Sequence, residues 1–347
     1  MSQHENYMHY CLELAVKGLG QVAPNPMVGC IIAGENGIVS EGYHEIFGKP
    51  HAEINALNAV ETPSSLKDAT LYVNLEPCNH QGKTGPCTDA IIASGIKKVV
   101  VGCVDPNPEV KGKGIEKLVR SGIDVVTGVS ERECIEVNKR FFVFHEKKRP
   151  FIILKWAQTK DGFIDRKRTA GETPAKITQD AADMLVHLWR SQEQAIMVGT
   201  HTVIMDNPKL TTRKTAGPSP TRVILDRTLR VPTSSNVFDK SAHTIVFTEQ
   251  KTGGNHGAEY IPVNFDGTLL TNMLTELYKK NIQSVIIEGG EKLLKSFIDK
   301  DLWDEAKVFY SSRTLGDGVT APNFPFPTRG EIRIGDDTLC LYRNKHS

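Results

Sequence analysis

Two α/β domains in tandem are what the sequence predicts, on three observations. At 347 residues the chain is long for one core, since a domain takes about 150 residues. Short apolar runs alternate with amphipathic stretches of about ten residues through both halves, the pattern of strands packed under helices. A charged knot, "HEKKRP" at 145–150, precedes a new apolar strand and marks the boundary. The expected domains are residues 1–146 and 150–347.

Residues 5–20 carry Tyr7, Met8, Cys11, Leu12, Leu14, Ala15 and Leu19 on a helical face that ends at glycines. "MVGCIIA" and "IVSEGYH" read as strands joined by the turn "GENG". "HAEINALNAV" at 51–60 reads as a helix opening at its histidine, and "ATLYVNLEP" as a strand stopped by a proline. "CTDAIIASGI" is a helix with Gly95 near its C-terminus. "KKVVVGCVDPNP" is a strand entering a turn, "GIEKLVRSGI" a helix and "DVVTGV" a short strand. The sheet is expected to be largely parallel or mixed. One long helix is expected over 130–148. In the second half, strands at 151–157, 194–200, 221–226, 243–248, 284–290 and 305–312 alternate with helices at 181–192, 269–281 and 292–302.

Composition excludes several classes. A hydrophobic fraction of 39% and a charged fraction of 24% are ordinary for a globular protein. A formal charge of +1 offers no field to gather nucleic acid or anionic membrane. The first residues lack the basic and apolar regions of a signal peptide, and no run approaches the roughly 20 apolar residues of a membrane helix. Cytoplasm is the expected compartment. Seven scattered cysteines are no disulfide framework. Cys30 in "MVGCII" and Cys103 in "VVVGCV" read as buried small hydrophobes.

Cys78 and Cys87 sit in different company, among Pro, Gly and polar residues in "EPCNHQGKTGPC". An imidazole and two thiolates make a good zinc set, and His51 of "HAEINAL" supplies the imidazole. A structural site closes around four protein ligands; a catalytic site leaves the fourth position to water. Three are evident here. Zinc brings the pKa of such a water to about 7, which makes hydroxide available at neutral pH. Glu53 falls on a different helix face from His51, better placed to shuttle protons than to bind the metal. Together these parts equip hydrolytic deamination.

"HAE", then "PC" and a second cysteine, resembles the signature of the cytidine deaminase superfamily. Eight residues, "NHQGKTGP", separate the cysteines, and "PNPMVG" at 24–29 and "DPNPEVKGKG" at 105–114 flank them. In these features the chain resembles the deaminase half of the bifunctional riboflavin biosynthesis (RibD) family, with Gly85 where that family has a proline. The resemblance implies a cytidine deaminase-like α/β/α sandwich, one zinc on His51, Cys78 and Cys87, and Glu53 as catalytic residue. It implies substrate contacts at Asn25, His44, His80 and Lys83. Asn25 stands between two prolines, and its stiff amide offers a donor and an acceptor to an aminopyrimidinone edge; a plain turn Asn is the alternative. Lys83 could meet a phosphate, or be a surface lysine.

In the second half, "SVIIEGGEKLLKSF" at 284–297 is a strand, a glycine pair and a helix. Glycines admit a phosphate to the backbone, and the helix start offers free N–H groups. A plain strand-to-helix turn is the alternative. With "LKWAQTKDGFI", "RSQEQAIMVGTHTVIMDNPKLTTR" and "VILD" in that order, the region resembles the reductase half of the same family, whose fold is like dihydrofolate reductase. The resemblance implies an NADPH site at Ala157, Thr202, Asp206, Gly290, Glu291, Lys292, Leu293, Leu294, Lys295 and Ser296. It implies that Arg190, Leu210, Arg213 and Glu288 hold the phosphorylated substrate; the guanidinium fork matches phosphate oxygens, and a surface salt bridge is the alternative for either arginine. Lys176 of "KIT" stands where the family has Trp, in a segment one residue longer, with Thr173 and Thr178 as further substrate candidates there.

The implied reactions are deamination of 2,5-diamino-6-ribosylamino-4(3H)-pyrimidinone 5′-phosphate and NADPH reduction of the ribosyl chain to ribityl. The expected partner is that small phosphorylated pyrimidine, with no nucleic acid and no membrane; a homo-oligomer is possible. A nucleic-acid deaminase would need a basic stripe interleaved with aromatics, and the aromatics here are 7% and scattered. A non-catalytic zinc-stapled protein would need a fourth ligand and would have no use for Glu53.

Overall fold

The computed structural model describes residues 2–80, 85–251 and 257–346. The chain divides into two compact units, 1–148 and 149–347.

Unit 1 opens with α1 (Gln3–Val16), whose capping box pairs the Ser2 hydroxyl with the Glu5 N–H. Then come β1 (Gly29–Gly34), β2 (Gly37–Tyr43), α2 (Ala52–Asn58), β3 (Thr70–Leu75), α3 (Cys87–Ser94), β4 (Lys98–Cys103), α4 (Lys113–Arg120), β5 (Asp124–Thr127), α5 (Glu131–Val137) and α6 (Lys139–Lys147). The sheet runs β2-β1-β3-β4-β5 and is mixed: β1 is antiparallel to β2 and β3, whereas β3, β4 and β5 are parallel. Its apolar residues, Cys30 and Cys103 among them, are buried. The register puts the start of β1 and the ends of β2, β3 and β4 on one edge. Gly29 lets that edge close, because a Cβ there would lie 2.0 Å from the Cys11 carbonyl oxygen.

The single helix expected over 130–148 is two, broken at Asn138, which ends α5 and starts α6. Helical periodicity runs through the break because the outward spacing of apolar residues does not register one non-helical residue.

Unit 2 contains β6 (Phe151–Gln158), β7 (Phe163–Asp165), α7 (Asp180–Gln192), β8 (Ala195–Gly199), α8 (Thr200–Asp206), β9 (Thr221–Leu225), β10 (Thr244–Thr248), β11 (Glu259–Pro262), α9 (Leu269–Lys279), β12 (Ser284–Glu288), α10 (Glu291–Asp299), β13 (Glu305–Tyr310), β14 (Val319–Thr320), β15 (Gly330–Ile334) and β16 (Asp337–Arg343). Its nine-stranded sheet has the order β11-β10-β9-β8-β12-β6-β13-β16-β15, parallel from β11 through β13 and antiparallel beyond. Central strands are mostly apolar, as a sheet covered on both faces requires, with Lys155, Arg222 and Glu288 as charged exceptions. The ends of β6, β8 and β12 therefore share one edge, where parallel sheets bind ligands. The helix α8, the short strands β7, β11 and β14, and the C-terminal β15–β16 hairpin were not expected from the sequence. The hairpin is the most legible of these, as "EIRIGDDTLCLYR" carries a turn at Gly335, whose φ is +63°.

Among the described residues, no helix is long and apolar enough to cross a membrane.

Candidate active sites

The unit 1 site forms where the sheet edge receives three chain segments. His51 is the N-cap of α2, in extended backbone; Cys78 lies three residues past β3; Cys87 is the first residue of α3. His51 Nδ1 lies 3.5 Å from Cys78 Sγ and 3.3 Å from Cys87 Sγ. All three ligand atoms fall within 4.8 Å of one another, and no other group of this kind occurs among the described residues. A tetrahedral zinc with bonds of about 2.0 Å to nitrogen and about 2.3 Å to sulfur separates such donors by about 3.6 Å. The donor set fits that ion in kind and in spacing.

The electrostatics agree. The Cys78 thiol is pulled well down, chiefly by the hydrogen bond from the Cys87 thiol, whose own proton is thereby held and whose pKa rises. The Cys87 N–H also donates to Cys78 Sγ at 3.4 Å. A thiolate beside an imidazole is the state a dication selects.

Glu53, in the first turn of α2, is 3% exposed. Burial and the neighbouring Cys78 push its carboxyl up to about 7. It also lies within hydrogen-bonding reach of Cys87. A buried carboxyl poised near neutrality beside a metal set can both take and return a proton.

Asn25 and His44 come to the same edge. Asn25 Nδ2 meets His44 Nε2 at 3.1 Å, His44 Nδ1 meets the Pro50 carbonyl oxygen at 3.1 Å, and the His44 and His51 rings are edge to face with centroids 5.1 Å apart. His80 is exposed, and Lys83 lies outside the described residues. Glu76 was not expected. Its carboxylate accepts from the N–H groups of Asp105, Gly112, Gly114 and Ile115 at 2.8–3.3 Å, so the strand end that delivers Cys78 is tied to the 105–114 loop. Gly114 allows this approach, since a Cβ there would meet the Pro77 carbonyl oxygen at 2.0 Å. A Glu before Pro-Cys was the available signal.

In unit 2 the expected residues come together in two groups. Thr202, on α8, accepts the Gly290 N–H through its hydroxyl at 3.1 Å. Gly289 has φ +148°, which side chains rarely adopt, while Gly290 has an ordinary backbone and would place a Cβ no nearer than 3.8 Å to anything. Beyond it, Leu293 N–H donates to the Gly290 carbonyl at 3.1 Å, Leu294 is buried in the core, Ser296 donates to Lys292 O, and Lys295 pairs with Asp299. The Glu291 and Lys292 N–H groups precede the helix's own acceptors. Ala157 is the penultimate residue of β6, at this edge. Asp206 pairs with Arg168, which also grips Asp165 and the Met205 carbonyl.

The second group holds the arginines. Arg190 is ion-paired with Glu288 at 2.7 Å, both nearly buried. Arg190 and Arg213 both donate to the Thr211 carbonyl, at 3.5 and 3.3 Å. Leu210, at φ +55°, turns the chain into this segment. His187 Nδ1 accepts the Arg213 N–H at 3.0 Å. Burial and the two guanidinium groups push His187 down to about 4. Lys155 registers beside Glu288 across β6 and β12, and burial lowers its pKa. Neither His187 nor Lys155 was anticipated, though a lysine inside the apolar run "FIILKWA" was a signal. Lys176 pairs with Asp180, and the Thr173 carbonyl takes Arg166.

Two family models match. The "Cytidine and deoxycytidylate deaminase zinc-binding region" covers residues 1–103, and the "RibD C-terminal domain" covers 150–327. The chain is 43% identical over 324 residues to the riboflavin biosynthesis protein RibD of Aquifex aeolicus, covering 91% of this chain and 89% of that one. It is similar to the crystal structure of a diaminohydroxyphosphoribosylaminopyrimidine deaminase/5-amino-6-(5-phosphoribosylamino)uracil reductase from Thermotoga maritima, with TM-score 0.88, 38% identity and 98% of each chain covered. It is also similar to Acinetobacter baumannii RibD, with TM-score 0.89, 32% identity and 98% of each chain covered.

Proposed function

This chain belongs to the RibD family of bifunctional riboflavin biosynthesis enzymes, and from that premise we propose which residues carry its two reactions. It is a zinc-dependent deaminase and an NADPH-dependent reductase. It deaminates 2,5-diamino-6-ribosylamino-4(3H)-pyrimidinone 5′-phosphate to 5-amino-6-(5-phosphoribosylamino)uracil and reduces the ribosyl chain to ribityl. We assign deamination to residues 1–146 and reduction to residues 150–347.

The observation that carries the deaminase assignment is the convergence of His51, Cys78 and Cys87 with Glu53 buried beside them. These three residues would hold the zinc, which supplies an activated water at neutral pH. Glu53 takes a proton from the attacking water and returns it to the departing amino nitrogen, so one C–O bond forms, one C–N bond breaks and ammonia leaves. Asn25 offers its amide to the pyrimidine edge, and His44 holds that amide in place. His80 is assigned to the substrate pocket by its place in the family's motif, and so is Lys83, which lies outside the described residues.

In unit 2, Thr202 and the Gly289–Gly290 turn seat the cofactor phosphates against the start of α10; Ala157, Asp206, Glu291, Lys292, Leu293, Lys295 and Ser296 line the cofactor site, and Leu294 anchors the helix in the core beneath it. NADPH supplies the hydride. Arg190 and Arg213 hold the substrate phosphate, Leu210 shapes the same substrate site, and Glu288 keeps Arg190 oriented. The substrate is a small phosphorylated pyrimidine, and the cytoplasm is the proposed compartment.

The test offers the purified chain the diaminopyrimidinone phosphate with and without NADPH and identifies products by mass. Without NADPH the product is one mass unit heavier, the exchange of an amino for an oxo group; with NADPH it gains two hydrogens more. A chain that leaves the substrate untouched under both conditions overturns the assignment.

A further inference from the structure

The turn that carries Asn25 has no sheet to hold it. β1 begins only at Gly29, so the peptide groups of Met27 find no ladder partner, and Met27 is 8% exposed. Buried backbone groups need partners, and two asparagine side chains provide them. Asn138 Oδ1 accepts the Met27 N–H at 2.8 Å, and Asn138 Nδ2 donates to the Met27 carbonyl at 2.9 Å. The carboxamide thus closes on both polar groups of one residue, as a neighbouring strand would. Asn74 on β3 adds a donor to the same carbonyl at 3.1 Å and accepts the Gly29 N–H at 2.8 Å.

Asn138 occupies an unusual place for this task. It ends α5 and starts α6, with its own N–H on the Cys134 carbonyl and its carbonyl accepting the Phe142 N–H. An asparagine at a helix start normally turns its side chain onto the first N–H groups of that helix. Here no such cap bond is made. The amide goes instead to a turn 111 residues earlier in the chain. The Val137 side chain packs against the same small cluster as Met27, Ala15 and Val22, which fixes the angle from which the amide arrives.

We infer that Asn138 is a positioning residue for the deaminase site: it locks Met27, and through Met27 the Pro24–Asn25–Pro26 turn, so that the Asn25 amide meets His44. The line of contacts runs from Asn138 to Met27, along the backbone to Asn25, from Asn25 Nδ2 to His44 Nε2, and from His44 to the Pro50 carbonyl next to the metal ligand His51. Asn138 touches neither substrate nor zinc donors. The break between α5 and α6 is the structural cost of bringing a carboxamide to that point. This inference rests on the reading of Asn25 as a pyrimidine contact.

The test measures deaminase KM and kcat in the full chain for Asn25→Ala, Asn138→Ala, Asn138→Asp and the double variant Asn25→Ala/Asn138→Ala. Rates are normalised to bound zinc, and reductase turnover of the same preparations reports on the rest of the chain. Asn138→Asp keeps the acceptor for the Met27 N–H and opposes a carboxylate oxygen to the Met27 carbonyl. Both single variants at 138 should raise KM by about tenfold to a hundredfold, the scale of loss when a binding group shifts by about an ångström. Reductase turnover and zinc content should stay unchanged, and kcat per zinc should fall much less than KM rises, the mark of a lost ground-state contact. The double variant should be no worse in KM than Asn25→Ala alone, because Asn138 acts through Asn25.

If Asn25→Ala raises KM while Asn138→Ala keeps the wild-type KM per zinc, the inference fails and the reading of Asn25 stands. If Asn25→Ala itself leaves KM alone, the reading of Asn25 fails first. Effects that multiply in the double variant, or loss of the folded state in both Asn138 variants, make Asn138 a stability residue and overturn the inference.

Discussion

The two sites meet their ligands differently. In unit 1, His51, Cys78 and Cys87 have mainly one another for polar company, with atoms spaced as a tetrahedral ion spaces them. In unit 2, the expected residues already have partners: Arg190 has Glu288, Asp206 has Arg168, and the Gly290 N–H has the Thr202 hydroxyl. The metal site is a set whose members lack purpose without the ion. The cofactor and phosphate site is a network that stands by itself and lends spare valences to a ligand. Removing one metal donor should therefore be all-or-none, whereas changes in unit 2 should be graded.

The sharpest way to break this contrast is Cys87→Ser. Losing a partner behind a metal ligand commonly costs about 10–100-fold in affinity, and losing a ligand outright should cost more. Metal analysis should find zinc gone and deamination gone, with NADPH-dependent turnover of the deaminated substrate intact. Stoichiometric zinc with normal deamination would take Cys87 out of the set.

Glu53→Gln separates holding the metal from moving the proton. Zinc should remain bound while deamination falls by about 10²–10⁴-fold, the usual contribution of a positioned acid–base group. The neutral isostere cannot carry a proton between water and leaving nitrogen. A variant that loses stability and keeps its rate per zinc would mark Glu53 as structural.

Gly290→Val addresses the other region. Gly289 has the positive φ, so its glycine serves the backbone. Gly290 has an ordinary backbone, and a Cβ there would make no contact tighter than 3.8 Å, to the Thr202 hydroxyl, so the backbone accepts a side chain. Any loss then reports on what approaches from outside. The KM for NADPH should rise about tenfold or more, a change of about 1.4 kcal/mol, and deaminated but unreduced product should accumulate. An unchanged KM would leave the turn a structural one.

The same contrast explains what could be read in the sequence. A metal set is legible because its ligand types are rare and closely spaced: His51 and Glu53 share one helix turn, and Cys78 and Cys87 close one loop. Alternating strands and helices located both sheets for the same reason, a short period repeated often. What stayed hidden acts at a distance. Asn138 supports a turn from the far end of its unit, Glu76 binds backbone of another loop, and His187 supports Arg213 from a neighbouring helix. Each is an unremarkable polar residue to a local reading. The break at Asn138 escaped because only its non-local use explains why a helix should stop there. The C-terminal hairpin escaped because β15 is largely exposed and so presents no buried face for alternation to reveal.

The smallest expected effect tests whether the unit 2 network stands on its own. His187 accepts the Arg213 N–H, and burial together with Arg190 and Arg213 pushes its pKa down to about 4 from an ordinary value near 6.5. Between those values the unfolded chain binds a proton at this residue and the folded chain does not. Stability therefore rises with pH across that window, and falls as pH drops from about 6.5 toward 4. His145 in unit 1, also lowered to about 4 by burial, acts in the same direction, so replacing His187 should reduce the slope without abolishing it. In His187→Asn the amide oxygen can take the position of Nδ1 and keep the bond to Arg213, while nothing there titrates. Melting temperatures of wild type and variant should agree within a few degrees at pH 7.5 and diverge in favour of the variant as pH approaches 5. Equal slopes would show that His187 is protonated with little penalty, and that the arginine cluster is less closed to solvent than its geometry indicates.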